Sequence, residues 1–250
     1  MRVNRAEGLE LVRAHLPPGW RVSPSHVVER LFSIVVGGDA PSGRARRFHL
    51  LYEDHVRMAR TNDLAVVCET LESRMRAFVA EHARRFVFVH AGTVGWRGRA
   101  IIIPGRSYSG KSSLVAELVR AGATYYSDEF AVLDGRGRVH PFAKPISLRE
   151  EGELRQENFR VEELGGAAGS KPLSVGLVLM TEYRRGARWR PRLLTQGQGA
   201  LAIFEHVIAA RSRPGQSLAA LERVVAQAPV LAGRRGEARE IVNRILSSVG

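Results

Sequence analysis

The sequence predicts an α/β fold with a mixed sheet, preceded by a β-rich N-terminal part. From residue 86 onward, short apolar runs alternate with segments of helical periodicity, which is typical of strands and helices packed in layers. Before that point, three β-rich runs separated by turn residues are typical of antiparallel strands. We therefore predict an N-terminal part over residues 1–85, packed on a core over residues 86–250.

The N-terminal part begins with a predicted helix over residues 1–16, which ends before Pro17-Pro18-Gly19 because proline and glycine interrupt helices. The runs "RLFSIVVGG", "RRFHLLYED" and "DLAVVCE" are predicted strands, separated by "GDAPSG" and "RTN". We expect these strands to belong to the same domain as the core. In "ETLESRMRAFVAEHARR" the apolar side chains recur at helical spacing, which predicts an amphipathic helix over residues 69–85.

In the core, "FVFVHAGTVGWRGRAIIIPG" predicts a hairpin of residues 86–94 and 98–104, because two apolar runs flank the turn-like "GWRGR". Residues 111–121 have the helical period and end at Gly122, a natural helix C-terminus. "TYYSDEFAVLDGRGRVHPF" predicts three strands with an acidic interruption after the first. The remaining predicted elements are the buried strand "SVGLVLMTEY", the helices "GALAIFEHVIAAR" and "SLAALERVVAQ", the strand "APVLAG" and the closing helix "EAREIVNRILSSV".

The chain is strongly basic, with a formal net charge of +13. Lys111, Lys144 and Lys171 are its only lysines, so nearly all of the basic charge is arginine. Such a charge is typical of a protein that binds a nucleic acid, an acidic protein or a polyphosphate, or of a protein with a solvated arginine-rich surface. We favour the solvated surface, and do not expect nucleic acid as a partner, because no long basic run interleaves with aromatic residues.

The composition also excludes several kinds of site. The single cysteine, Cys68, rules out an internal disulfide and a cysteine-based zinc site. No run approaches 18 consecutive apolar residues, so we expect no membrane association. The N-terminus reads as an amphipathic helix rather than a signal peptide, so we expect a cytoplasmic location. No G-x-S-x-G element supports a hydrolase.

The motif that carries chemistry is "GRSYSGKS", residues 105–112, which matches G-x-x-x-x-G-K-[ST]. Gly105 and Gly110 let backbone N–H groups approach phosphate oxygens, and the following helix adds the positive end of its dipole. Lys111 supplies a cation for the β- and γ-phosphates, and the Ser112 hydroxyl can join a Mg²⁺ shell. The alternative is a plain glycine-rich turn between a strand and a helix. We favour a nucleotide-phosphate site, with these predicted binding residues: Gly105, Arg106, Ser107, Tyr108, Ser109, Gly110, Lys111, Ser112 and Ser113.

A carboxylate pair, Asp128 and Glu129, follows Lys111 by 17 residues. Alone, it would be interpreted as a solvated acidic turn. Beside a phosphate loop, an acid at the end of a parallel neighbour of the loop's strand is placed to hold Mg²⁺ or to orient a nucleophile. We therefore predict that this pair belongs to the site.

The stretch from the loop through the acidic pair, "GRSYSGKSSLVAELVRAGATYYSDEFAVLD", resembles the catalytic core of HPr kinase/phosphorylase and its shorter relatives, the HPr-kinase-like serine kinases. His90 lies fifteen residues before Gly105, the same spacing as the family histidine. "VHPFAKPISL", which contains Lys144, is similar to a P-x-P-I-x-L stretch of the shorter relatives. The resemblance covers residues 86 to about 150 and implies a core of the phosphoenolpyruvate carboxykinase type.

The resemblance implies roles for the matching residues. Asp128 would be the base that receives the proton of the acceptor hydroxyl, with His90 near it and Lys111 on the phosphates. Ser112 and Glu129 would hold Mg²⁺, although the family counterpart of Glu129 is often aspartate. The later glutamate-arginine-glycine signature and the C-terminal carrier-binding loop of HPr kinases proper have no counterpart here. The resemblance therefore does not imply the carrier protein HPr as substrate or the reverse phosphorylase activity.

These observations lead us to expect an ATP-dependent, Mg²⁺-requiring kinase that phosphorylates a hydroxyl, with serine of a peptide or protein favoured over a small molecule. A second hypothesis is a regulatory module that binds nucleotide without transferring phosphate. A third and weaker one is an NTPase associated with nucleic acid. The preference for ATP over GTP and the oligomeric state stay open, with a homo-oligomer as one alternative.

Overall fold

The structure of the protein, a computed structural model, describes residues 1–17, 20–38, 48–106, 109–149 and 156–249. The predicted break at Pro18 and Gly19, most of "GDAPSG", and the predicted site residues Ser107 and Tyr108 lie outside this range. The chain forms two units, residues 1–80 and 81–250. The boundary predicted from the sequence lies five residues later, after residue 85.

The first unit contains one sheet of four strands in the order β1-β2-β3-β4, with β1 parallel to β2 and the other pairs antiparallel. Its core is formed by apolar side chains of both helices and of β2 and β3. In the described residues these strands pair only with one another. The elements are β1 Arg2–Val3, α1 Glu7–Ala14, β2 Phe32–Val35, β3 His49–Glu53, β4 Val56–Thr61 and α2 Leu64–His82.

The run "DLAVVCE" is not the predicted strand but the first part of α2. Its β-branched residues suggested a strand, yet Val67, Cys68, Leu71 and Met75 follow helical spacing and are all buried. The carboxylate of Asp63 accepts a hydrogen bond from the backbone N–H of Ala65 at 2.9 Å, which satisfies a free donor in the first turn. Burial of one helical face and this cap therefore outweigh the local strand preference.

The second unit is a mixed α/β structure around a sheet of eight strands, which confirms the predicted α/β class. The strand path is β13-β14-β12-β6-β5-β8-β9, and β7 pairs with β5. The elements are β5 Val87–Trp96, β6 Arg99–Pro104, α3 Lys111–Arg120, β7 Thr124–Ser127, β8 Phe130–Leu133, β9 Arg138–His140, β10 Ile146–Arg149, β11 Gln156–Phe159, β12 Leu173–Tyr183, β13 Arg192–Leu193, α4 Gln196–Phe204, α5 Pro214–Gln227, β14 Val230–Arg235 and α6 Ala238–Ser247.

Helices cover both faces of this sheet, which explains the apolar run at the end of β6. Ile101 and Ile103 pack in a cluster with residues of α3 and α6, whereas Ile102 packs with residues of α4 and α5. The sequence of a strand buried on both faces is a continuous apolar run rather than an alternation of apolar and polar residues. The predicted hairpin, loop and helix are therefore found as β5, β6 and α3.

The acidic pair does not follow a direct neighbour of β6, contrary to the prediction. β6, β12 and β14 are parallel to one another, but β5 is antiparallel to β6 and lies between β6 and the β7–β8 edge. The strand that precedes Asp128 has the direction of β6 but is one strand removed from it. β5 separates β7 from β6 because β5 and β6 are joined by a two-residue turn and therefore pair as a hairpin.

Several elements were not predicted: β1, which lies within the predicted helix over residues 1–16, β4, the antiparallel pair β10–β11, β13 and a short 3₁₀ helix, Val161–Leu164. None of the helices in the described ranges is long and apolar enough to cross a membrane.

We expect Ile103→Ala to lower the free energy of unfolding of the second unit by about 2–5 kcal/mol, because it removes a fully buried side chain and leaves a cavity. Urea unfolding in a Trp20→Phe background, followed by the fluorescence of Trp96 and Trp189, measures this unit. Leu201→Ala, on a side chain that is 65% exposed, is the control and should change little. Equal effects of the two substitutions would contradict the assigned position of β6 in the core.

Candidate functional site

The loop from Gly105 to Gly110 joins the end of β6 to the start of α3. The backbone N–H of Gly105 donates to the His90 carbonyl at 3.2 Å, which anchors the loop to β5. Gly110 has φ 81°, a left-handed conformation that favours glycine, and directly precedes the first helical residue. The free N–H groups of the first turn of α3 therefore face the loop, as a phosphate site requires.

Lys111 is buried at the base of this loop. Its Nζ donates a hydrogen bond to the Arg106 carbonyl at 2.7 Å. Burial lowers the pKa of the Lys111 ammonium to about 8, although the negative charge of Asp128 acts in the opposite direction. The residue is thus a cation held close to the loop backbone, and its charge is sensitive to moderately alkaline pH.

Asp128 lies directly beside the loop, and its side chain is almost fully buried. Its carboxylate accepts three hydrogen bonds, from Tyr125 Oη at 3.0 Å, Ser112 Oγ at 3.3 Å and the Ser147 N–H at 3.1 Å. It also forms an ion pair with Lys144, whose Nζ lies 3.0 Å from Oδ1. Tyr125 itself has a raised pKa, first because of burial and then because of the neighbouring carboxylate, so it remains a hydrogen-bond donor.

The structure adds Lys144 to the site, a residue that the sequence analysis named without giving it a role. Besides its contact with Asp128, its Nζ lies 4.0 Å from Oε2 of Glu129. Two of the three lysines of this chain therefore lie near Asp128. The scarcity of lysine was the one sequence signal that could have selected Lys144 among so many basic residues.

His90 also lies in this neighbourhood, together with His206, which the sequence analysis did not select. The backbone N–H of His90 donates to the His206 carbonyl at 2.7 Å. Burial lowers the pKa of His90 to about 4, and the charge of Lys111 lowers it further, while Asp128 opposes the shift. His90 is therefore a neutral imidazole near pH 7, able to donate or accept a hydrogen bond but not to supply a positive charge.

A cleft of about 580 Å³ beside the loop is lined by Gly105 and Arg106, by the ends of β12 and β14, and by His206. A second cavity of about 430 Å³ lies against α3, from Ser113 onward, and is lined by apolar Leu148 and Phe159 as well as by charged residues. Both volumes are within the range of small-molecule sites.

The described residues of the site fit a phosphate group and a hard divalent cation. Ser109 Oγ is buried and has no hydrogen-bond partner among the described residues, which leaves a donor for a bound oxygen. Ser112 Oγ and Asp128 Oδ2 lie 3.3 Å apart, so this pair offers two hard donors to Mg²⁺. Oε2 of Glu129, the predicted ligand, lies 4.0 Å from Lys144 Nζ. No group of three or more acidic, histidine or cysteine side chains in the described ranges could hold a metal by itself.

No protein-family model matches the chain, and no curated protein matches it significantly.

We expect the affinity for tripolyphosphate or ATP to fall as pH rises above about 8, by up to about tenfold per pH unit. A phosphate ligand favours the charged form of Lys111, so binding takes up a proton once the free lysine has lost one. Calorimetric titrations from pH 7 to 9.5 measure this, and Lys111→Met should abolish the dependence. A flat profile, or the same slope in Lys111→Met, would contradict the position assigned to this lysine.

Proposed function

We propose that the protein is an ATP-dependent kinase similar to the HPr-kinase-like serine kinases, with a core of the phosphoenolpyruvate carboxykinase type. The observation that carries the proposal is the 3.3 Å distance between Ser112 Oγ and Asp128 Oδ2, since it puts a buried carboxylate at the helix end of a phosphate loop. The order hairpin, loop, helix, short strand and acidic pair supports it as well.

In this proposal the loop and Lys111 bind the triphosphate of ATP. The backbone N–H groups of the loop and of the first turn of α3 donate to phosphate oxygens, and the Lys111 ammonium contributes a positive charge. Ser112 and Asp128 are the residues that would hold Mg²⁺. When bound, Mg²⁺ neutralises phosphate charge and helps to orient the groups that react.

Asp128 is the proposed proton acceptor. The oxygen of the acceptor hydroxyl forms a bond to the γ-phosphorus, the bond from that phosphorus to the β–γ bridging oxygen breaks, and ADP leaves with the electron pair. The hydroxyl proton moves to the Asp128 carboxylate. Because four groups already contact this carboxylate, one must give way, and Ser112, at 3.3 Å, makes the longest of the four contacts.

The proposed acceptor is a serine hydroxyl of a peptide or protein, and a small-molecule hydroxyl is the alternative. The acceptor needs access to the γ-phosphate end of the loop, and the 580 Å³ cleft beside Gly105 and Arg106 provides an opening there. A peptide segment or a small molecule can enter a cleft of this size.

We expect Lys111→Ala and Asp128→Asn each to reduce transfer of label from γ-labelled ATP to protein and peptide acceptors by at least about 100-fold. Without added Mg²⁺, Asp128→Asn should keep nucleotide affinity within a few-fold, because it leaves Lys111 and the loop N–H groups in place. Lys111→Ala should weaken nucleotide binding itself.

Asp134→Asn is the matched control for these variants. Asp134 is also mostly buried, with 12% of its side chain exposed, and it pairs with Arg138 and His140 away from the loop. This substitution tests the loss of a buried paired carboxylate and should leave transfer unchanged. Transfer at the wild-type rate by Asp128→Asn would end the assignment of the base, and tight ATP binding without label transfer would favour the regulatory module.

A further inference from the structure

Arg235, at the end of β14, is a buried cation that the proposed chemistry has not used. Only 2% of its surface is exposed. Among the described residues its guanidinium is in no ion pair; the guanidinium carbon lies 5.6 Å from the centre of the Tyr183 ring, and Nε has no hydrogen-bond partner. The nearby Glu237 carboxylate accepts a hydrogen bond from Tyr183 Oη at 2.8 Å. A buried charge without a counter-ion is unfavourable, so this position calls for an explanation.

The guanidinium contacts the end of the phosphate loop. Its Nη2 donates to the Gly110 carbonyl at 2.8 Å, and its Nη1 donates to the Gly236 carbonyl at 3.0 Å. A Cβ at residue 110 would lie 2.5 Å from Nη2, so glycine is needed there for this close approach as well as for its φ value. Arg235 thus lies directly behind the junction between the loop and α3.

This contact fixes the direction of the peptide group between Gly110 and Lys111. In a planar trans peptide, the carbonyl and the following N–H point in opposite directions. The Gly110 carbonyl accepts from Arg235 and from the Leu114 N–H, so the Lys111 N–H is directed out of the N-terminal end of α3. The bond to Arg235 therefore orients a donor that a phosphate ligand would use.

We propose that Arg235 is a positioning residue of the phosphate loop, and that a phosphate-type anion bound at the loop supplies the counter-charge its guanidinium lacks. The inference rests on the proposed function, because it assumes that the loop binds the phosphates of a nucleotide. It adds a fixed positive charge to the site, from a strand distant in sequence. Burial lowers the pKa of Arg235 from its ordinary value, although the negative charge of Glu237 acts in the opposite direction.

The test compares Arg235→Gln, which keeps a hydrogen-bond donor but removes the charge, with Arg235→Lys, which keeps the charge. Calorimetry with inorganic tripolyphosphate and with pyrophosphate measures binding directly. We expect Arg235→Gln to raise the Kd for tripolyphosphate by at least tenfold and the Kd for pyrophosphate by less, since a charge effect grows with the charge of the ligand. Arg235→Lys should stay within tenfold of wild type for both.

Arg244→Met controls for net charge, because Arg244 is an exposed residue of α6, and its affinities should match those of wild type. Thermal unfolding of the free proteins separates affinity from folding. We expect Arg235→Gln to change the Tm of the free protein little, while the Tm increase produced by tripolyphosphate shrinks. A lowered Tm with wild-type affinity would mean that Arg235 is a structural support only, and would overturn the proposal.

The remaining outcomes are also decisive. Equal losses for tripolyphosphate and pyrophosphate, or a loss above tenfold in Arg235→Lys, would overturn the electrostatic role. If Arg235→Gln does not fold, the same comparison is made with Arg235→Met, and failure of both to fold counts against a role in binding. If wild-type protein binds neither ATP nor tripolyphosphate, the proposed function fails. If it binds both and Arg235→Gln binds them equally well, only the role of Arg235 fails.

Discussion

The buried carboxylate of Asp128 is the interaction on which the arrangement of the site depends. The four groups that contact this carboxylate come from α3, from β7, from the segment before β10 and from β10 itself. A buried carboxylate is tolerated only when its oxygens are well hydrogen-bonded, so these segments and the acid stabilise one another. The distance between the phosphate loop and the acid is consequently set by several contacts at once, which is the kind of rigid placement that phosphoryl transfer requires.

Positive potential at the loop comes from three sources that differ in how they respond to conditions. The N-terminus of α3 contributes a partial charge that does not titrate. Lys111 contributes a charge whose pKa is lowered to about 8 by burial. Arg235 contributes a full charge from behind the loop, held by the Gly110 and Gly236 carbonyls. The Asp128 carboxylate, which contacts Ser112 in the first turn of α3, already pairs with Lys144.

The parts of the fold that the sequence predicts correctly are those whose sequence patterns lie close together in the chain. The hairpin, the loop and α3 follow from an apolar run, a glycine motif and a helical period that lie within 35 residues of one another. The start of α2 was wrongly predicted as a strand, because a short apolar run such as "LAVVC" looks alike in a strand and on a buried helical face. Arg235 was missed because its partner Gly110 is 125 residues away, and no local pattern reports such a contact.

The turn at Arg97 and Gly98 has a consequence for how this architecture can vary. Both residues have positive φ values, 48° and 76°, and the turn sets the register in which β5 pairs with β6. Along its other edge β5 pairs with the strands that flank Asp128. The pairings of β5 therefore fix the distance between the loop after β6 and Asp128. An extra residue in the turn would shift the pairing of β5 with β6 by one residue and turn Ile101 and Ile103 to the opposite face of the sheet. The later connections can lengthen without changing this distance. Diverged chains of this architecture should differ in length at those connections and keep two residues in the turn between β5 and β6.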